Sequence, residues 1–164
     1  MLVQPLTGEF AGMAQMIRRL EVALVTTVDH DGRFHTRPLQ TLGIESDRTL
    51  WFFTDARSGK AAELLHDARL SLGYGDPRGG RYLAIAGTGR VLRDPKRARS
   101  LWTLQQRAYY PRGPEDERLA LLCVRVERAE SWLAPGRTAH LVAALRARVT
   151  GRPATIVGRN FKLP

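Results

Sequence analysis

Between Arg48 and His66 the chain reads Arg-Thr-Leu-Trp-Phe-Phe-Thr-Asp-Ala-Arg-Ser-Gly-Lys-Ala-Ala-Glu-Leu-Leu-His, and Thr54, Ser58 and Lys60 bring two hydroxyls and an ammonium into close spacing. Leu50 to Thr54 is an apolar, aromatic run of strand type, and after Ser58 the residues Leu64, Leu65 and Ala68 recur at helical spacing. Strand, tight turn and helix therefore follow one another. A helix start presents unpaired backbone N–H groups and a partial positive charge, so these three side chains converging there suit a phosphate. The same residues also fit a capped helix with a solvated lysine.

A second candidate lies upstream. Arg33, His35 and Arg37 fall on one face of a strand while Phe34, Thr36 and Pro38 fall on the other. Pro38 cannot donate to a sheet ladder, which implies an edge or a bulge, and a bulge can re-aim Arg37 toward a site. The alternative is a solvated arginine beside a strand end.

These residues need elements to hold them. Phe10, Met13, Ile17 and Leu20 recur at helical spacing, which predicts an amphipathic helix over about residues 8–20. Glu21 to Val28, the turn Asp29-His30-Asp31-Gly32 and Arg33 to Ile44 predict a β-hairpin. Further strands are expected at Leu50–Thr54, Arg69–Tyr74, Arg81–Leu92, Leu119–Val126 and Ala129–Leu133. Asp94-Pro95 starts a helix whose apolar face is Ala98, Leu101, Trp102 and Ala108, ended by Pro111-Arg112-Gly113-Pro114. Thr138 to Val149 reads as a closing helix, and the tail with Ile156, Val157 and Phe161 has apolar residues with which to dock on the body. Six or seven strands with a few helices between them suggest a mainly β chain with a closed antiparallel barrel over about residues 21–134, and a C-terminal helix and tail over about 137–164. All 164 residues are expected to form a single domain.

Composition narrows the function. Hydrophobic content of 43% is ordinary for a globular protein, and no apolar run reaches the length of a membrane span. No secretory signal is visible, so a cytoplasmic location is expected. Cys123, the single cysteine, falls in an apolar run and reads as a buried structural thiol. The net charge of +10 invites an acidic partner, yet the arginines are spread along the chain instead of forming a block, which argues against specific nucleic-acid binding. His30, His35, His66 and His140 lack metal-ligand spacing, and no nucleophile elbow, Walker loop or dinucleotide-binding glycine pattern occurs. Trp51, Phe52, Phe53, Tyr82 and Trp132 could wall an aromatic ring, although aromatic residues more often fill a core.

The order Thr36-Arg37-Pro38, Leu50-Trp51-Phe52-Phe53-Thr54 with Ser58-Gly59-Lys60, Tyr82 to Gly87 and Glu130-Ser131-Trp132 resembles the pyridoxamine 5′-phosphate oxidase-like FMN-binding split-barrel family, in its general-stress-protein branch. The resemblance covers roughly residues 10–135. It implies a six- to seven-stranded antiparallel split barrel and a homodimer with FMN at the subunit interface. It places Arg37, Lys60 and Ser58 on the FMN phosphate, Pro38, Leu39 and Gln40 beside the isoalloxazine, and Phe53 and Thr54 on the next strand. Tyr82 matches a frequent flavin contact, and Trp132 a tryptophan that reaches across from the partner subunit. Gly59 stands where the oxidase proper has an arginine, and Arg137 and His140 do not reproduce its substrate-gripping Arg-x-His, which sets this chain apart from pyridoxamine phosphate oxidation. The wider family implies FAD, the deazaflavin F420 or haem as alternatives to FMN. The expected function is a flavin-dependent oxidoreductase of unidentified substrate, with a non-catalytic flavin-binding stress or sensor protein as the alternative and a basic nucleic-acid-binding module behind both.

Overall fold

The computed structural model describes residues 8–133, 148 and 157–161. Helix α1 (Gly8–Leu20) leads into β1 (Val22–Val28) and β2 (Phe34–Ile44). Then come β3 (Thr49–Asp55), α2 (Gly59–His66), β4 (Arg69–Asp76), β5 (Arg81–Leu92), α3 (Pro95–Leu101), β6 (Leu119–Leu133) and β7 (Val157–Phe161). The sheet order is β3-β2-β1-β4-β5-β6-β7, and a further antiparallel pairing of β3 with β6 closes the first six strands into a barrel. Closure removes the exposed ladder edges of an open sheet. No helix among the described residues is long and apolar enough to cross a membrane.

Side-chain alternation decides what the barrel holds. In β1, Ala23, Val25 and Thr27 are fully buried while Val22 and Leu24 are exposed. Strand β3 is buried along both faces: Leu50 and Phe52 enter the barrel core with Met13, Ile17, Leu72, Ile85 and Val124, whereas Trp51 and Phe53 join an outer cluster with Ala98, Leu121 and Cys123. Segment 93–118 covers that outer cluster, so β3 has no solvated face and reads as a continuous apolar run.

The β2–β3 contact is short. Strand β2 pairs with β1 from Phe34 through Gln40, but with β3 only from Thr41 to Ile44, with Leu42 bulged out of register. Pro38 therefore stands in a stretch with no ladder partner on the β3 side, as its missing N–H requires, and the bulge lies four residues further on.

Two expectations need correction. The helix beginning at Asp94, whose carboxylate accepts from the Arg97 N–H at 2.9 Å, does not run to Ala108. It ends at Leu101 because Trp102 turns to extended backbone and packs its ring on Phe53, 5.8 Å between centroids; short 3-10 turns at Leu104–Ala108 and Gly113–Glu115 follow. The two strands expected at Leu119–Val126 and Ala129–Leu133 are one, since Arg-Val-Glu-Arg offers no turn residue. The interruption is a bulge: Ala86 pairs with Arg128 and Gly87 with Val126, leaving Glu127 as the extra residue. The tail docks as β7 on Ala129–Leu133. The closing helix expected over Thr138–Val149 lies outside the described residues, apart from Arg148, which is helical.

The bulge makes Gly87 indispensable, because a Cβ there would stand 2.2 Å from the Arg125 carbonyl oxygen, which is backbone and cannot swing aside. Gly87→Ala should destabilise the fold by about 2 kcal/mol, a melting-point drop of roughly 4–8 °C in a thermal scan.

Candidate functional site

Beyond Phe52, β3 has no ladder to β2, and the chain turns at once into α2, whose inward residues are Lys60, Ala61 and Leu64. Leu64 packs in the barrel core, which fixes the helix and carries Lys60 inward to only 5% exposure. The Lys60 ammonium donates to Thr54 Oγ1 and lies 3.5 Å from Ser58 Oγ. Ser58 is the N-cap residue of α2, but its side chain makes no cap hydrogen bond; the hydroxyl faces Thr54 Oγ1 at 3.5 Å instead. The solvated-lysine alternative is thereby excluded.

Arg37 faces the same region from β2, whose odd-numbered residues turn inward opposite Val25. Its guanidinium donates to Glu63 of α2 through both terminal nitrogens, at 3.1–3.2 Å, and also to Thr27 Oγ1 and the His35 carbonyl. Thr27 in turn donates to Glu63. Burial, followed by the Arg37 charge, pushes the Lys60 amine below its ordinary value of 10.5, with Glu63 and Asp55 opposing the shift. The result is two adjacent cations and two or three hydroxyls at a helix start, with the Glu63 carboxylate on Arg37 and Asp55 acting on Lys60. That donor set suits a tetrahedral oxyanion.

The other expected residues fall elsewhere. Leu39 packs against the barrel core, while Pro38 and Gln40 are exposed on the opposite, outward face of β2. Phe53 points away from Thr54 into the outer cluster, against Trp102 and Tyr110. Tyr82 and Trp132 are direct partners across β5 and β6. They share the outward sheet face with Pro38 and Gln40, through rows such as Pro38, Leu24, Gly73, Ala84 and Glu130. Three strands, β1, β4 and β5, stand between β2 and β6 along that row, so Trp132 is not a ladder neighbour of Pro38 or Gln40 in its own chain. The five aromatic residues do not form one wall.

Thr27 and Glu63 escaped the sequence reading. Thr27 had a signal, a polar residue on the buried phase of β1, and so did Glu63, one helical turn from Lys60. Among the described residues, Asp29, His30 and Asp31 place possible metal-ligating atoms within 4.8 Å of one another. Their carboxylates are already engaged by backbone N–H groups, Arg33 and His35 in an exposed turn.

Residues 9–154 match the model of the family described as pyridoxamine 5′-phosphate oxidase like. The chain belongs to that family. Its barrel has the family's split-barrel form, as in the general stress protein 26-related protein of Clostridium acetobutylicum: 21% identity, TM-score 0.66, covering 73% of this chain and 84% of that one. The general stress FMN/FAD binding protein of Xanthomonas citri is 27% identical, with TM-score 0.64 over 74% of this chain and 86% of its own. Protein bli-3 of Neurospora crassa is 23% identical over 163 residues, 93% of this chain and 78% of that protein.

The depressed Lys60 amine has a measurable consequence. Between its folded value and 10.5 the unfolded chain binds more protons than the folded one, so stability from this group rises with pH across that window. Tyr110, pushed up to about 12 by burial, acts in the opposite sense above pH 10. Lys60→Met should cancel the contribution of Lys60 alone. The stability difference between variant and wild type, measured by urea unfolding, should shrink as pH rises toward 10.5; a constant difference would show an ordinary, solvated amine.

Proposed function

We propose that this chain binds FMN at the interface of a homodimer and acts as a flavin-dependent oxidoreductase on a small molecule. The observation that carries this reading is the Lys60–Thr54–Ser58–Arg37 cluster: a nearly fully buried ammonium beside a guanidinium is costly, Glu63 and Asp55 offset only part of that cost, and a phosphate monoester supplies two further negative charges. The cluster favours FMN over haem, and it offers a phosphate end where FAD would carry a further nucleotide. The family and the FMN/FAD-binding relative in Xanthomonas citri support a flavin.

The outward sheet face supports a second copy as partner. Phe34 is 76% exposed, Leu24 53%, Val22 47% and Tyr82 39%, on a face that also carries Pro38, Gly73, Gly75, Ala84 and Ala86 together with the polar Thr36, Gln40, Ser71, Arg128 and Glu130. Large exposed apolar side chains of this kind on a sheet face suit a partner. A two-fold axis through this face makes it self-complementary and can bring the Tyr82 and Trp132 edge of one subunit to the Pro38 and Gln40 edge of the other. The bound flavin supplies reversible two-electron chemistry. The protein's part is to anchor the phosphate with Lys60, Arg37 and Ser58, to line the ring with Pro38, Gln40 and the backbone of Leu39, and to exclude water with Tyr82 and Trp132. Phe53 and Thr54 contribute from β3, Phe53 through its backbone. A single buried thiol suits the reducing cytoplasm.

FMN should bind at least about a hundredfold more tightly than riboflavin, because charged hydrogen bonds contribute roughly 1.5–3 kcal/mol each. Lys60→Ala should weaken FMN about tenfold to a hundredfold and leave riboflavin unchanged in fluorescence titrations. Equal losses for both flavins would move the phosphate elsewhere. Turnover of the FMN-loaded protein with a reduced nicotinamide cofactor tests the oxidoreductase assignment.

The dimer has its own test. Light scattering should give a dimer for the wild type and a monomer for Leu24→Glu, with circular dichroism intact and FMN binding lost. A monomeric wild type that holds FMN at full affinity would refute the shared site.

A further inference from the structure

The phosphate cleft contains an acidic residue that a simple anion site would lack. Glu63 engages both terminal nitrogens of Arg37, and Thr27 and the His35 carbonyl take further N–H capacity from the same guanidinium. Glu63 thus occupies the Nη1–Nη2 fork of Arg37. Glu63 also folds back along α2: its Oε1 lies 3.5 Å from where a Cβ would stand on Gly59, so the carboxylate sits toward the first turn, the end that carries Ser58 and Lys60. A helix start flanked by two cations is where an anion belongs, and here the chain supplies its own.

We propose that Glu63 is the resident counter-anion of this cleft: it occupies the Arg37 fork while the cleft is empty and yields it to the incoming phosphate, so that Glu63 sets how tightly phosphorylated ligands bind. The proposal rests on the reading of this cleft as a phosphate site. Its logic is charge balance. Arg37 and Lys60 contribute two positive charges, and Glu63 removes one, which keeps the empty fold from carrying two uncompensated cations. A dianionic phosphate entering the cleft meets the Glu63 carboxylate as a like charge and displaces it to take the Nη1–Nη2 fork, so part of the binding free energy is spent on that exchange. The ligand-free chain is stabilised at the expense of affinity.

Glu63→Gln keeps the shape and removes the charge. In phosphate-free buffer the variant should melt below the wild type, since Arg37 then loses its paired carboxylate and Lys60 keeps only Asp55. Adding inorganic phosphate, with chloride of equal ionic strength as the control, should raise the melting point of Glu63→Gln more than that of the wild type. The excess should vanish in the Arg37→Gln/Glu63→Gln double variant. FMN affinity should increase at least about tenfold in Glu63→Gln while riboflavin affinity stays level. Equal phosphate responses in variant and wild type, or weaker FMN binding by the variant, would overturn the proposal and leave Glu63 as a residue that merely positions Arg37. A variant that stays unfolded even in phosphate overturns it too, because the anion then fails to replace the carboxylate. If the wild type binds no FMN but the phosphate response of Glu63→Gln holds, the FMN assignment falls and the role of Glu63 stands.

Discussion

Lys60 carries a positive charge where almost no water reaches it, and much of the structure near the mouth of the barrel exists to make that tolerable. Removing an ammonium from water costs several kcal/mol even after relaxation, against a typical net folding stability of about 5–15 kcal/mol. The neighbouring guanidinium of Arg37 makes the cost larger, and Glu63, Asp55 and the hydroxyls of Thr54 and Ser58 offset part of it. Alanine or methionine would fill the space at lower cost. A buried lysine with a depressed amine beside an arginine is a feature of binding sites more than of cores.

Topology supplies the place for it. The barrel closes through β3 and β6, so the β2–β3 ladder can stop short without opening the core. Where it stops, inward residues of β2 become available to α2, and Arg37 meets Glu63 across a gap that a continuous ladder would fill. Leu64 anchors α2 in the barrel core, and Gly89 of β5 leaves it room: a Cβ there would come within 3.4 Å of Leu64 and 2.4 Å of Leu70. Core packing and site geometry are therefore coupled through one short helix. The outward sheet face belongs to the same design, because the alternation that sends Arg37 inward sends Pro38 and Gln40 outward, beside Leu24 and Val22.

Much of this was legible in the residues. Period-2 alternation and turn chemistry located β1, β2 and the hairpin between them to within a residue or so, and the strand–turn–helix reading at Thr54, Ser58 and Lys60 placed those side chains together. What escaped the reading depends on tertiary contact. Trp102 ends α3 for the sake of Phe53, which no local propensity foretells, and the Glu127 bulge looks like a strand break until β5 is set beside it. Glu63 lies one helical turn from Lys60, but the partner that gives it a role, Arg37, comes from a strand 26 residues away. The separation of Tyr82 and Trp132 from Pro38 follows from strand order, and strand order is not a local property.

The central claim is that Lys60 and Arg37 hold a phosphate dianion out of water. Phosphorus NMR of FMN bound to the protein, followed as pH is lowered, addresses it without reference to turnover or to any variant. A free phosphate monoester takes up a proton near pH 6. If the two cations and the helix start face the phosphate, the bound resonance should keep its dianion position well below that pH, until the protein itself unfolds. A bound phosphate that titrates near pH 6, as in water, would contradict the account.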